Sequence, residues 1–457
     1  MERLMQFVWQ HRLWDYTPLR TADGKRVRII HPGTLNQDSG PDFFNAAVEI
    51  DGQQWAGNVE IHVKASDWYH HGHDRDRAYD SVILHVVLID DTRVRRPDGR
   101  VIPQVVVKCS ARGAARCNML VSGASSSLPC ASTVASLDPF FHTEWMTALA
   151  IERLYNKSDR ILGLVKFAEG DWEAAAYMTL SRALGFGLNA EPFEVLAKNL
   201  PLKFLNRHRD ELLTMEALVF GQAGLIPQPQ EGEDGYVARM REEYRFMARK
   251  FNFHPLPLQW KLSRTRPQNF PHRRLAFLAA KIHQGFHFIG RLDDVVADFY
   301  RAKEAADAQA RLYYPDYPAP PSPEIPSLKD IRKEFEVSLS GFWATRYTFD
   351  GNGGGATPRV LTAGSIDRLM INVAIPLVLA RATSRGDVAT MSLVPHMLAS
   401  FRAEDNKDVR LFSSAGITCR NAFESQAIIE LRRNYCEKNK CLYCRFGHKM
   451  LSCEIQK

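Results

Sequence analysis

GPDFFNAAVEIDGQQWAGNVEIHVKASDWYHHGHDRD, residues 40–76, sets Asp42, Glu60, Lys64 and four histidines into a stretch that otherwise reads as two strands. FFNAAVEI and WAGNVEIHV flank DGQQ, whose Asp-Gly is a strong hairpin signal. Side chains on a strand alternate between faces, so Glu60, His62 and Lys64 share one side while Val59, Ile61 and Val63 share the other. The apolar face is expected to enter a core. The polar face is left for chemistry or solvent.

Working outward, residues 2–14 carry apolar side chains at helical spacing, and VRII after the ADGK turn reads as a strand. HPGTLNQDSGP is a loop by its Gly, Pro, Asn and Asp content. SVILHVVLI has buried-strand character, and VIPQVVVKC after PDGR reads as another strand. The expected order over residues 1–110 is helix, strand, strand, strand, helix, strand, strand, an α/β unit within an α+β chain. Residues 111–135 read as a Ser/Ala/Gly linker, 136–312 as a helical domain, 313–326 as a proline-rich connector, and 327–457 as a helical region ending in a cysteine cluster.

The 457 residues carry a net charge of +7, which suits a polyanionic partner without requiring one. The first residues lack the basic start and apolar core of a secretion signal, and INVAIPLVLA is short for a bilayer span and contains Pro376. A cytoplasmic protein with reduced thiols is the expectation for its eight cysteines.

Hairpin pairing is expected to bring Asp42, at the mouth of its strand, beside Glu60. Two close carboxylates repel, and Mg²⁺ or Mn²⁺ relieves the repulsion by taking oxygen ligands. Such an ion can polarise a phosphoryl oxygen and acidify water, with His62 or Lys64 assisting. His70, His71 and His73 read as a phosphate-contacting or solvated loop, His85 as a core histidine or a substrate-positioning one, and Glu2 as a helix N-terminal acid or an aid to metal-bound water.

Pro41-Asp42 followed by Glu60-Ile61-His62 in an αβββαβ order resembles the PD-(D/E)xK nucleases, with His62 where that superfamily has Lys. GPDFFNA, GNVEIHVKASDWYHHGHDRDRAYDSVILHVV, ALVFGQAGL, RPQNFPHRR and YCEKNKCLYC resemble the DUF2851 family, whose name implies no activity. The nuclease resemblance implies metal-dependent phosphodiester hydrolysis on DNA or RNA. The alternative is a non-catalytic nucleic-acid-binding or scaffold protein built on the same core.

Two further stretches bear on that reading. WKLSRTRPQNFPHRR, residues 260–274, offers Arg264, Arg266, Arg273 and Arg274 between aromatics, either as a nucleic-acid surface or as helix-capping arginines. Cys436-x4-Cys441-x2-Cys444-x8-Cys453 has the spacing of a zinc or iron–sulfur site, with His448 or Cys419 as alternatives for the fourth ligand.

Overall fold

The hairpin forms as its sequence implies. β3 (Phe43–Ile50) and β4 (Gln53–Lys64) pair antiparallel. They are joined through Asp51-Gly52, whose φ values of 48° and 83° are the left-handed pair of a tight type I′ turn. The computed structural model describes residues 1–10, 12, 14, 18–36, 39–96, 98–108, 128–313, 328–339, 341–350, 357 and 359–452. Most of the expected linker, nearly all of the proline-rich connector, and Cys109, Cys117 and Cys453 lie outside these residues.

β1 (Val27–His31) and β2 (Thr34–Leu35) also pair antiparallel with β3. β4 then runs parallel to β5 (Val82–Ile89), and β5 parallel to β6 (Gln104–Val106). The mixed sheet has the order β1-β3-β4-β5-β6, with β2 off the end of β3. A parallel step needs a crossover, and here it contains α2 (Asp67–His70) and a single 3₁₀ turn, Arg77–Tyr79. β5 is buried along most of its length, as a central parallel strand must be.

One face of the sheet carries α1 (Glu2–Gln10), which lays Leu4, Met5, Phe7, Val8 and Trp9 on a core with Phe43, Val59, Ile61 and Leu84. The other face packs Trp68, Tyr79, Val82, Val87, Val94 and Ile102. The chain thus begins with a mixed sheet and continues as a mainly helical region.

Contacts divide the chain into two units that cross the boundaries read from composition. The first comprises residues 1–145, 406–418 and 429–457. Its C-terminal part returns to the sheet, where Leu442 and Met450 join the core under α1. The second comprises residues 146–405 and 419–428 and is helical. ALVFGQAGL lies on its thoroughly buried helix Leu212–Gln222, and RPQNFPHRR leads into the buried helix Pro271–Gln284.

The apolar run around Pro376 is longer than the sequence reading allowed. Ala363–Arg385 is a 23-residue helical stretch apolar enough to cross a membrane, but 72% of its most apolar window is buried inside the protein. A π turn at Met370–Ala374 precedes Pro376 and accommodates the amide hydrogen that proline lacks.

Candidate functional site

β3 and β4 bring the two expected carboxylates together. Phe43 pairs with Val59, so Asp42 arrives beside Glu60, and a bulge with Asn45 at φ 57° re-aims the start of β3. The Asp42 amide donates to Glu60 Oε2 at 3.0 Å, and the Ile61 amide donates to Asp42 Oδ2 at 3.0 Å. Gln6, one turn after Glu2 on α1, donates from Nε2 to Asp42 Oδ1 at 2.8 Å. Glu2 lies near enough for its charge to act on both carboxyls.

Burial dominates their electrostatics. It raises Asp42 to about 7, with Glu60 and then Glu2 adding repulsion, and raises Glu60 to about 8, with Glu2 adding to the rise. No lysine or arginine pairs with either acid among the described contacts, and the nearest side-chain partners of Glu60 are imidazoles.

The remaining oxygen of Glu60 faces histidines. Oε1 is 3.4 Å from His73 Nε2 and 3.6 Å from His62 Nε2. His62 Nε2 is in turn 3.1 Å from His71 Nδ1. Ligand nitrogens of His62, His71 and His73 all lie within 4.8 Å of one another. Donors on one tetrahedral ion with bonds of about 2.0–2.1 Å stand roughly 3.3–3.4 Å apart, so the three imidazoles approach the spacing of one ion's ligands, with Glu60 Oε1 beside two of them.

The cage has a supporting layer. His62 Nδ1 is 2.8 Å from Nε2 of the fully buried His85, whose backbone lies opposite Glu60 on β5. In the tautomer where His62 Nδ1–H donates to His85, the Nε2 lone pair is left for a metal. His73 stacks on Tyr79 with centroids 3.8 Å apart, and the Trp68 ring stands edge-on to His62, His73 and His85. Burial, with repulsion from His73 and His71, lowers His62 to about 3, so its imidazole is neutral and able to ligate. His71 is exposed, which opens the cage to solvent on that side.

The expected residues thus separate. Asp42, Glu60 and His62 are brought together, and Glu2 approaches them. Lys64 lies beyond, exposed at the end of β4 and on the side of Asp91. His70 is exposed and 3.4 Å from Asp67, whereas His73 is buried and the exposed His71 still brings its Nδ1 to His62. The His-x-His of HHGH, His71-Gly72-His73, was the available signal for that convergence, but the fold of the Ser66–Tyr79 crossover decides it.

In the helical unit Arg264 and Arg266 are exposed, while Arg273 and Arg274 are buried. Arg273 donates to the Trp343 carbonyl; Arg274 donates to Asn269 and lies 4.4 Å over the Phe186 ring. Both line a small cavity with Gln268, Arg359, Thr362 and Ser365. At the C-terminus, Cys436, Cys441 and Cys444 belong to the first unit, and Cys419 belongs to the second.

A family profile described as "Protein of unknown function (DUF2851)" matches residues 2–407. The chain belongs to the DUF2851 family. No curated protein and no solved structure matches it. Asp42, Glu60, His62, His71 and His73 all fall within the DUF2851 match, while Cys436, Cys441 and Cys444 lie beyond it.

Proposed function

We propose that this DUF2851 protein is a metal-dependent hydrolase of phosphodiester bonds, acting on DNA or RNA through the site on β3 and β4. The observation that carries the reading is the convergence of three imidazoles, with Glu60 beside two of them, next to the half-buried Asp42. The sequential strand order and the position of the acids on neighbouring strands support the likeness to a PD-(D/E)xK core.

Nitrogen donors shift the expected metal from Mg²⁺ towards Mn²⁺ or Zn²⁺. Such an ion would supply positive charge to a phosphoryl oxygen and acidify a water molecule. That charge also explains how the site could work without the lysine of the superfamily, since His62 is neutral and Lys64 is remote. Asp42, ionised above about pH 7, would accept the proton of the attacking water, and Gln6 and the Ile61 amide hold it in position.

The test uses full-length protein with single- and double-stranded DNA and RNA in Mn²⁺, Zn²⁺ or Mg²⁺. Cleavage is expected to favour Mn²⁺ or Zn²⁺ and to fall by at least about 100-fold in Asp42→Asn and Glu60→Gln. Equal activity in wild type and both variants would exclude the site. Inert protein that still binds nucleic acid would instead favour the non-catalytic reading.

A further inference from the structure

The C-terminal cysteines are folded into a tight knuckle. Lys440 N donates to the Tyr435 carbonyl at 2.8 Å, Asn439 N to the Cys436 carbonyl at 3.1 Å, and Cys444 N to the Cys441 carbonyl at 3.2 Å. Cys441 opens a 3₁₀ turn, and Cys444 stands immediately before the helix Arg445–Ser452. The backbone amides of Phe446 and Gly447 donate to the Cys444 sulfur, which is how a helix start stabilises a thiolate. Gly447 is required by the packing: a Cβ there would lie 2.0 Å from the Cys441 carbonyl oxygen.

This knuckle does not stand alone. The helix Ala131–Ala135 packs against Arg445–Ser452, and Cys130 directly precedes it. Cys130 and Cys441 rest on the same apolar cluster beneath the sheet. The Cys130 and Cys436 thiols lie within electrostatic reach of each other and of both Cys441 and Cys444. All four are thiols rather than disulfides, and Cys444 is buried.

We infer that Cys130, Cys436, Cys441 and Cys444 bind one iron–sulfur cluster, with Cys130 supplying the fourth thiolate; no three of these sulfurs lie within the 4.8 Å that a single ion's ligands need, and a multinuclear cluster spans the wider spacing. A metal centre would bind these cysteines as thiolates. The His448 ring stands edge-on to Phe7 of α1, Cys419 belongs to the other unit, and Cys453 lies outside the described residues. The centre would tie the returning C-terminal segment to the chain that follows the sheet, a separate role from hydrolysis.

The experiment measures zinc, iron and acid-labile sulfide in anaerobically purified full-length protein, in a His71→Ala background so that the imidazole cage contributes no zinc. Stoichiometric metal is expected, lost equally in Cys130→Ser and Cys444→Ser and kept in Cys419→Ser. Brown protein with stoichiometric iron and acid-labile sulfide upholds the centre, and colourless protein without iron overturns it. Alkylation of the native unsubstituted cysteines keeps the test independent of variant folding: Cys130 is expected to be protected with the C-terminal trio and released with it by chelator. Full metal in Cys130→Ser, a metal-free parent protein, or Cys130 reacting independently of the trio would overturn the inference.

Discussion

Glu60 divides its two oxygens between neighbours of opposite character, with Oε2 on the Asp42 amide and Oε1 turned to His73 and His62. That makes it the joint between the carboxylate pair and the imidazoles. Its burial is costly when ionised and uncompensated, so Glu60→Gln is expected to stabilise the metal-free protein at pH 8 by about 2 kcal/mol while abolishing metal binding. Thermal unfolding at pH 5 and pH 8 checks this, since the gain should be absent at pH 5, where Glu60 is already protonated. A loss of stability at pH 8 would contradict it. The Asp42–Glu60 pair was legible because a two-residue turn fixes the register of the hairpin. His71 and His73 were not, because Trp68 Nε1 bonding the Arg95 carbonyl at 3.1 Å and Tyr79 stacking on His73 are contacts that local spacing does not encode.

At the scale of elements, β5 lies beside the proposed metal site, whose candidate ligands lie on β4 and the crossover. His85→Ala removes the partner of His62 Nδ1 and is expected to weaken Mn²⁺ or Zn²⁺ affinity by about 10–100-fold, read by calorimetry, with the sheet intact by circular dichroism. Unchanged affinity would assign His85 to packing alone. The turn offers a control: Gly52→Ala forces a side chain onto φ 83° and should cost about 1 kcal/mol in denaturant unfolding while leaving metal affinity unchanged. β1 and β3 to β6 were readable from periodicity and turn residues, whereas the two-residue β2 falls in the stretch read as a loop. The third and fourth partners of His62 depended on how a short crossover closes over the sheet, a tertiary outcome.

Across the whole molecule, the two families of shifted groups impose opposite pH dependences on the metal-free protein. Asp42 and Glu60 have raised folded values, so their contribution is complete below about pH 4 and is lost as pH rises through 7 to 8. His62 has a lowered folded value, so its contribution is complete above about pH 6.5 and is lost as pH falls towards 3. Melting temperature should therefore fall between pH 6.5 and 8, and saturating Mn²⁺ should remove that slope by replacing the proton. A flat metal-free profile would count against the buried carboxylates. The return of Leu442 and Met450 to the core under α1 was hidden from composition, which sees only a distant cysteine-rich tail. Truncation after Ile428 is accordingly expected to speed amide exchange in α1 and β3, and unchanged exchange would deny that packing.

The central claim is that His62, His71, His73 and Glu60 hold one ion, and pulsed electron paramagnetic resonance of bound Mn²⁺ tests it most directly. Nitrogen couplings from imidazole are expected in the wild type, diminished in His71→Ala and in His73→Ala, with the ion lost in Glu60→Gln. A bound ion with oxygen ligands alone, indifferent to both histidine substitutions, would contradict the account.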